Sequence, residues 1–128
     1  MSTLATHVAV VDDDVSVCKA LTRLLSASSF DVTTFSSARE FLKSLKSRKP
    51  DCLVADLHMP DLTGFDLQRH LNRAGIAIPI IIITAFNEPG LRERCQSAGA
   101  IAFLLKPFDG TELLDIVHTA TKKIENRV

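Results

Sequence analysis

The sequence predicts an α/β fold in which helices cover both faces of a five-stranded parallel sheet. Five short apolar runs alternate with segments whose apolar residues recur at helical spacing. This alternation predicts a three-layer, doubly wound sheet with right-handed crossovers. Four of the runs end on polar residues that can take part in chemistry, namely Asp12–Asp14, Asp56, Thr84 and Lys106. The carboxyl ends of the strands in such a sheet lie at one edge, where ligands bind.

Composition limits the classes of protein to which the chain can belong. Its 128 residues have room for one domain with a proper core, so we expect a single domain over residues 1–128. With 46% hydrophobic residues and a formal net charge of 0, the chain is neither disordered nor basic enough to bind nucleic acid. Its apolar runs are too short to span a membrane, and its N-terminus lacks a secretory signal, so we expect a cytoplasmic protein.

The cysteines and histidines show no metal-ligand spacing. Without a Cys-x-x-Cys pair, neither a disulfide framework nor a zinc site is indicated, and we interpret the cysteines as small core side chains. The histidines lack the spacing of known metal motifs, and we interpret each as a scattered, partly exposed side chain. The residues concerned are Cys18, Cys52, Cys95, His7, His58, His70 and His118.

The first part of the chain contains two predicted strands, each followed by a helix. The first strand runs from His7 to Asp12, and the acidic cluster after it caps a helix that ends near Ser28. The β-branched segment Asp31–Phe35 predicts the second strand. Ser37–Glu40 has the pattern of a capping box, and the helix that it opens closes at the basic segment Lys46–Lys49.

The middle of the chain contains a predicted strand, turn and helix. The apolar run between Pro50 and Pro60 predicts a third strand, covered on both faces, that ends at Asp56. The turn 61–64 then leads into a third helix that reaches about Arg73. This strand is therefore expected in the interior of the sheet.

The last part of the chain completes the alternation. Ile80–Ile83 predicts a central parallel strand, and a fourth helix is expected to be capped by Asn87 and stopped at Gly99. Pro89 would lie in the first turn of that helix. Ala100–Leu105 predicts the fifth strand. A capping box at 109–112 opens a fifth helix whose buried stripe is Leu113, Ile116, Val117, Ala120 and Ile124.

Five motifs, in this order and spacing, resemble the receiver domain of bacterial two-component response regulators. They cover about residues 7–122, and among such regulators the FixJ/LuxR-type transcription regulators are the most similar in character. The resemblance implies a flavodoxin-like sheet of strand order 2-1-3-4-5, with a crevice where that order reverses. The motifs are Val10–Asp14, Asp56–Pro60 with Thr63 and Gly64, Ile82–Ala85, Ala98–Ala100 and Lys106–Phe108.

The resemblance also implies a phosphoryl and metal site. Asp56 would accept a phosphoryl group from a sensor histidine kinase, so the chain would be a stoichiometric acceptor rather than an enzyme. Asp13, Asp56 and the main-chain carbonyl of His58 would bind Mg²⁺ directly, and Asp12 would bind it through water. Mn²⁺ could replace Mg²⁺. Three adjacent carboxylates repel one another, which makes a divalent cation favourable.

Three further residues would bind or report the phosphoryl group. By resemblance, Lys106 and the Thr84 hydroxyl would contact its oxygens. Thr84 would move toward it while Phe103, often a tyrosine in the family, turns inward, which makes the pair a two-state switch. The family also implies a cis peptide bond between Lys106 and Pro107. Phe103 would lack the hydroxyl that a partner could recognise.

Each of these residues has an ordinary structural explanation when it is taken alone. The Asp12–Asp14 triplet could merely cap the first helix, Thr84 could be a β-branched strand residue, Lys106 a solvated charge and Phe103 part of the core. Their joint placement at the ends of four strands favours the functional interpretation. For Asp14 the capping role is preferred.

Other functions remain to be compared with this one. In a haloacid-dehalogenase-like phosphatase, Asp12 would be the nucleophile and Asp14 the general acid, but the Asp56 motif would be unexplained. A flavin carrier would need a phosphate-binding loop and a stacking Trp or Tyr. A pseudo-receiver without phosphorylation is disfavoured because the set of site residues is complete.

The sequence suggests one output surface. The fourth helix, fifth strand and fifth helix form the face through which the family commonly dimerises on phosphorylation. For Arg92 and Arg94 on that face, solvated charges are an equally good explanation. The chain would be either a stand-alone receiver or the N-terminal piece of a regulator with a helix-turn-helix after Val128, and no nucleic acid or membrane contact is expected of this domain.

Overall fold

A five-stranded parallel sheet forms the centre of the chain in the computed structural model, which describes residues 5–125. The strand order is β2-β1-β3-β4-β5, and each neighbouring pair is parallel. The α/β class and the order 2-1-3-4-5 are therefore confirmed. The strands are β1 (His7–Val11), β2 (Asp31–Phe35), β3 (Cys52–Asp56), β4 (Ile80–Thr84) and β5 (Ala102–Leu105).

In the part of the chain that the structure describes, five helices cover the two faces of this sheet. The buried residues of α1 and α5 pack on one face, and those of α2, α3 and α4 pack on the other, which gives the three predicted layers. Within residues 5–125, no helix has the length and apolar character needed to cross a membrane. The helices are α1 (Val15–Ala27), α2 (Ala38–Ser44), α3 (Gly64–Arg73), α4 (Leu91–Ser97) and α5 (Gly110–Glu125).

Burial on both faces explains the composition of the strands. Every residue of β1, β3 and β4 is buried, because helices cover both sides of these interior strands. In the edge strand β2 the polar residues Asp31, Thr33 and Thr34 are exposed, and the other two residues are half-buried. Cys52 and Cys95 are fully buried, which confirms their interpretation as core side chains, and burial raises the pKa of the Cys52 thiol to about 12.

Side-chain caps fix the starts of several helices. The Asp14 carboxylate accepts the Ser16 N–H at 2.9 Å, so the predicted cap of α1 is confirmed. Ser37 caps α2 by accepting the Glu40 N–H, but the Glu40 carboxylate binds the Ser36 hydroxyl at 2.8 Å, so only one half of that predicted capping box forms. Asp109 likewise caps α5 through the Thr111 N–H.

Several predicted boundaries were wrong. The second helix ends at Ser44, before the basic segment Lys46–Lys49 that was predicted to close it, and the first strand ends at Val11 rather than at Asp12. The fourth helix begins at Leu91 after Gly90, not after Asn87, because Gly90 has φ 80° and this left-handed conformation interrupts any helix that starts earlier. The fifth strand begins at Ala102 rather than Ala100, since the Ala100 N–H still closes α4 by donating to a carbonyl of that helix.

His7 also differs from its predicted character. It is buried rather than partly exposed, and its Nε2 lies 2.8 Å from the Thr33 hydroxyl. Burial and then the nearby Arg48 charge lower the pKa of His7, although the Asp31 and Asp51 carboxylates oppose them. His58, His70 and His118 are exposed. The side chain of Ile124, predicted to be buried, lies outside the described side chains.

Candidate functional site

Three predicted carboxylates meet at the carboxyl edge of the sheet. Asp12 follows β1 and Asp56 ends β3, and these two strands are paired with Val11 opposite Ala55. One carboxylate oxygen from each of Asp12, Asp13 and Asp56 lies within 4.8 Å of the others. Asp12 and Asp56 are buried, whereas Asp13 is exposed, so the cluster opens to solvent on the Asp13 side.

Lys106, which follows the edge strand β5, brings a positive charge to this cluster. Its Nζ lies 2.8 Å from Asp12 Oδ2 and 3.7 Å from Asp56 Oδ2. The Lys106 N–H also donates to the Thr84 carbonyl at 2.7 Å, which fixes the end of β5 beside β4. The peptide bond to Pro107 is cis, as the family resemblance implied.

Burial and neighbouring charges set the ionisation of the site. The pKa of Asp56 is raised by burial and by the Asp12 charge, and the Lys106 charge and the His58 N–H only partly offset these effects. For Lys106, burial lowers the pKa, but the hydrogen bond and charge of Asp12 and the charge of Asp56 outweigh it, so the pKa is raised. Three carboxylates thus share one ammonium group, and additional positive charge is favourable there.

The donor atoms at this edge suit a hard divalent cation. The three groups that converge all offer carboxylate oxygens, and Mg²⁺ prefers oxygen ligands and keeps several of its waters. The exposed side of Asp13 leaves room for such waters. The residues present therefore fit the magnesium site that the sequence predicted.

Thr84 lies at the same edge, but its hydroxyl contacts His58 and Phe86 rather than the carboxylates. It ends β4 and is fully buried. Its Oγ1 accepts the N–H of Phe86 at 3.1 Å and lies 3.1 Å from Nδ1 of His58. The rings of His58 and Phe86 meet edge to face with their centroids 4.6 Å apart.

Phe103 is buried beneath an arginine. It is 4% exposed, and the Arg92 guanidinium lies 5.0 Å from its ring centroid. Arg92 Nη1 also donates to the Phe103 carbonyl at 3.3 Å. Arg94 lies 4.5 Å from the Phe65 ring centroid. Both arginines thus pack on aromatic rings of this chain, and Phe103 already faces inward in this structure.

The structure adds side-chain contacts that sequence reasoning missed. For His58 only the main-chain carbonyl was predicted to take part, and its imidazole was interpreted as scattered; yet the imidazole contacts Thr84. Phe86 supplies both a backbone N–H and a ring to the same cluster. Their positions in the sequence could have indicated these contacts. His58 lies two residues after the end of β3, Phe86 lies two residues after the end of β4, and the two strands are neighbours.

The fold and the site together define a class of protein. Residues 8–118 match the family described as the response regulator receiver domain. The chain belongs to the response regulator receiver domain family. The phosphatase alternative, with Asp12 as nucleophile, is not supported, since the matched family and the similar proteins are response regulators.

The similar proteins and solved structures include regulators of known name. The chain is 42% identical over 118 residues to nodulation protein W of Bradyrhizobium diazoefficiens, covering 92% of this chain and 52% of that protein. It is 40% identical to the transcriptional regulatory protein TdiR of Thauera aromatica over 91% of this chain and 51% of TdiR. The crystal structure of FixJ-N superposes with a TM-score of 0.84 at 33% identity, covering 94% of this chain and 96% of that one. The chain thus spans about half the length of nodulation protein W and of TdiR.

Proposed function

We propose that this chain is a phosphorylation switch in which Asp56 accepts a phosphoryl group from a sensor histidine kinase. The observation that carries the proposal is the convergence of Asp12, Asp13 and Asp56 with Lys106 at the carboxyl edge of the sheet. Membership of the receiver family supports it. The chain acts stoichiometrically, because the acceptor itself is modified.

Phosphoryl transfer at this site needs positioning and charge neutralisation more than covalent activation. An Asp56 carboxylate oxygen forms the new bond to phosphorus as the bond between phosphorus and the donor histidine nitrogen breaks, and the imidazole leaves. Lys106, already 3.7 Å from Asp56 Oδ2, neutralises charge on the phosphoryl oxygens. The Thr84 hydroxyl donates a hydrogen bond to the same oxygens once it is released from its present partners.

Magnesium completes this charge balance. When bound, the ion supplies positive charge beside the phosphoryl oxygens and the three carboxylates. Asp13, Asp56 and the main-chain carbonyl of His58 would hold it directly, and Asp12 would hold it through water. Mn²⁺ can take its place. The oxygen-only donor set and the raised pKa of Asp56, caused by burial and by the Asp12 charge, support this assignment.

Phosphorylation of Asp56 changes the positions of Thr84 and Phe103. Thr84 ends β4, and Phe103 lies opposite Ile82 on the neighbouring strand, so a shift of Thr84 acts directly on the packing beside Phe103. Because Phe103 is already buried under Arg92, its response alters the contact with that arginine rather than its own exposure. Such a change remodels the surface made by α4, β5 and α5.

The remaining parts of the function follow from the relatives. Several of them are named as transcriptional regulators, and we propose that this receiver acts in the cytoplasm and controls transcription through an effector domain other than residues 1–128. The α4–β5–α5 surface would form a homodimer on phosphorylation. The domain itself would contact neither nucleic acid nor membrane.

Incubation with acetyl phosphate and Mg²⁺ tests this function. We expect the wild-type chain to gain one acid-stable, alkali-labile phosphoryl group, seen by intact mass, and Asp56→Asn to gain none. Asp115→Asn, which removes an exposed carboxylate on α5, is the matched control and should be modified like the wild type. Continuous release of phosphate from simple esters, with no modified chain, would contradict the proposal.

A further inference from the structure

The His58 imidazole contacts the one hydroxyl that the proposed switch needs. His58 lies two residues beyond β3, and Thr84 is the last residue of the adjacent β4. The Leu57 N–H donates to the Ile83 carbonyl at 2.9 Å, which holds the start of the β3–α3 loop beside the end of β4. This backbone bond places Nδ1 of His58 3.1 Å from Thr84 Oγ1.

Two groups contact the Thr84 hydroxyl, the Phe86 N–H and Nδ1 of His58. The Phe86 N–H donates to Oγ1 at 3.1 Å, and the Phe86 ring meets the His58 ring at an interplanar angle of 64°. Thr84 is 0% exposed, whereas Phe86 is 52% exposed. Since its residue is fully buried, the hydroxyl keeps these partners unless the side chain rotates.

We propose that His58 is a positioning residue that competes with the phosphoryl group for the Thr84 hydroxyl; this inference rests on the proposed role of Thr84. A threonine hydroxyl has one proton to donate and two lone pairs. In the structure Phe86 N–H uses one lone pair, and His58 Nδ1 engages the proton or the other lone pair, depending on the ring tautomer. If Nδ1 accepts the hydroxyl proton, donation to a phosphoryl oxygen requires that this bond be given up; if Nδ1–H donates, the rotation that carries the hydroxyl to the phosphoryl group breaks the contact. In both cases His58 opposes the movement of Thr84.

Two substitutions separate the hydrogen bond from the ring contact. His58→Phe keeps a ring against Phe86 and removes the nitrogen, whereas His58→Asn keeps a hydrogen-bonding atom near the position of Nδ1 and removes the rest of the ring. The probe is beryllofluoride with Mg²⁺, which mimics a phosphoryl group on a carboxylate. We expect His58→Phe to bind it about fivefold more tightly than the wild type, the scale of one lost hydrogen bond, and His58→Asn to bind like the wild type.

A double-mutant cycle tests whether His58 acts through Thr84. In a Thr84→Val background the hydroxyl is absent, so His58→Phe should no longer change the affinity for beryllofluoride. A gain in affinity that persists in this background would overturn the proposal. Wild-type affinity in His58→Phe would overturn it as well.

A measurement on the metal-free chain gives a second readout. Three-bond couplings of the Thr84 methyl carbon report its χ1 rotamer, and we expect one rotamer in the wild type and His58→Asn but averaging in His58→Phe. A single unchanged rotamer in His58→Phe would contradict the inference. If the wild type fails to bind beryllofluoride with Mg²⁺, the proposed function falls and this inference with it, a pattern distinct from binding that is merely insensitive to His58.

Discussion

Lys106 is the only cation in direct contact with the buried carboxylates among the residues that the structure describes. Asp12 is 1% exposed, and its carboxylate accepts hydrogen bonds from Lys106 Nζ at 2.8 Å and from the Asp14 N–H at 2.9 Å. A buried carboxylate that loses its charged partner carries the whole desolvation cost of its charge. Lys106 therefore stabilises the fold as well as the proposed phosphoryl site.

Lys106→Met should destabilise the chain by about 3 kcal/mol, because the buried Asp12 carboxylate then lacks its charged partner. Urea unfolding in EDTA at neutral pH measures this change. The control is Asp12→Asn combined with Lys106→Met, in which both charges are gone and most of the lost stability should return. Equal stability of Lys106→Met and the wild type would show that the ion pair contributes nothing.

Asp56 in its ionised form destabilises the fold, whereas Lys106 stabilises it. Burial and the Asp12 charge raise the pKa of Asp56 above its ordinary value of 3.8. The folded chain therefore holds the Asp56 proton more tightly than the unfolded chain does. Stability consequently falls as the pH rises from about the ordinary pKa through the raised pKa, and the penalty is fully present above that window. An ionised Asp56 thus costs stability that a bound cation or the phosphoryl chemistry can relieve.

Asp56→Asn should accordingly be more stable than the wild type in EDTA at neutral pH, by about 1 kcal/mol. The gain should shrink as the pH is lowered through the raised pKa of Asp56, where the wild-type carboxyl becomes neutral. Urea unfolding at several pH values measures it, with Asp115→Asn as the exposed control. A gain that does not depend on pH would rule out the ionised carboxylate as its cause.

Among the helices, α4 is held less firmly than α3. The capping box of α3 is complete, with Thr63 and Asp66 each bonded to the backbone N–H of the other. In α4 the residue before the helix is Gly90, which has no side chain to cap it, and the helix runs for 7 residues compared with 10 in α3. A short, poorly capped helix beside the switch strand is suited to local rearrangement.

Amide hydrogen exchange should therefore be faster in α4 than in α3 in the metal-free chain. The expected reason is local opening, because few buried side chains and no side-chain cap oppose it. Exchange followed by NMR resolves the two helices residue by residue. Protection of α4 equal to that of α3 would mean that α4 opens only with the whole domain, and that its rearrangement needs another cause.

Local sequence signals identified all ten helices and strands of residues 5–125, but they failed where contacts between distant parts of the chain decide the structure. Asp31–Phe35 was predicted to the residue, because its β-branched content is a local property. The start of α4 was misplaced because Asn87 is a good cap by type, whereas the left-handed φ of Gly90 depends on how the preceding loop returns to the sheet. Likewise, the contact of His58 with Thr84 requires that β3 and β4 be neighbours.

At the level of the whole molecule, the strand order determines which of the predicted site residues lie next to one another. Alternating strands and helices predict a parallel sheet, but that pattern alone does not say that β1 lies beside β3; the order came from the resemblance to a family. Once β1 and β3 are adjacent, Asp12 and Asp56 must meet, since Asp12 follows β1 and Asp56 ends β3 at the same edge of the sheet. The carboxylate cluster was therefore predictable, and the engagement of Thr84 by His58 was not.

A cation that binds only the folded chain must stabilise the whole domain. At a Mg²⁺ concentration 100 times the dissociation constant, we expect a gain of about 2.7 kcal/mol and a higher Tm. Asp13→Asn removes a proposed ligand that is exposed, so it should reduce this gain with little effect on the metal-free fold. Thermal unfolding with Mg²⁺ and with EDTA measures both, and Asp115→Asn is again the control. An unchanged Mg²⁺ response in Asp13→Asn would remove that residue from the metal site.

Mapping the modified residue is the most direct test of the proposed switch. The chain is treated with acetyl phosphate and Mg²⁺, the acyl phosphate is reduced with borohydride, and peptides are sequenced by mass spectrometry. We predict that the reduced residue is Asp56 in the wild type and that no residue is reduced in Asp56→Asn. Reduction at Asp12 or Asp13, or none in a chain shown to bind Mg²⁺, would contradict the assignment of Asp56 as the phosphoacceptor.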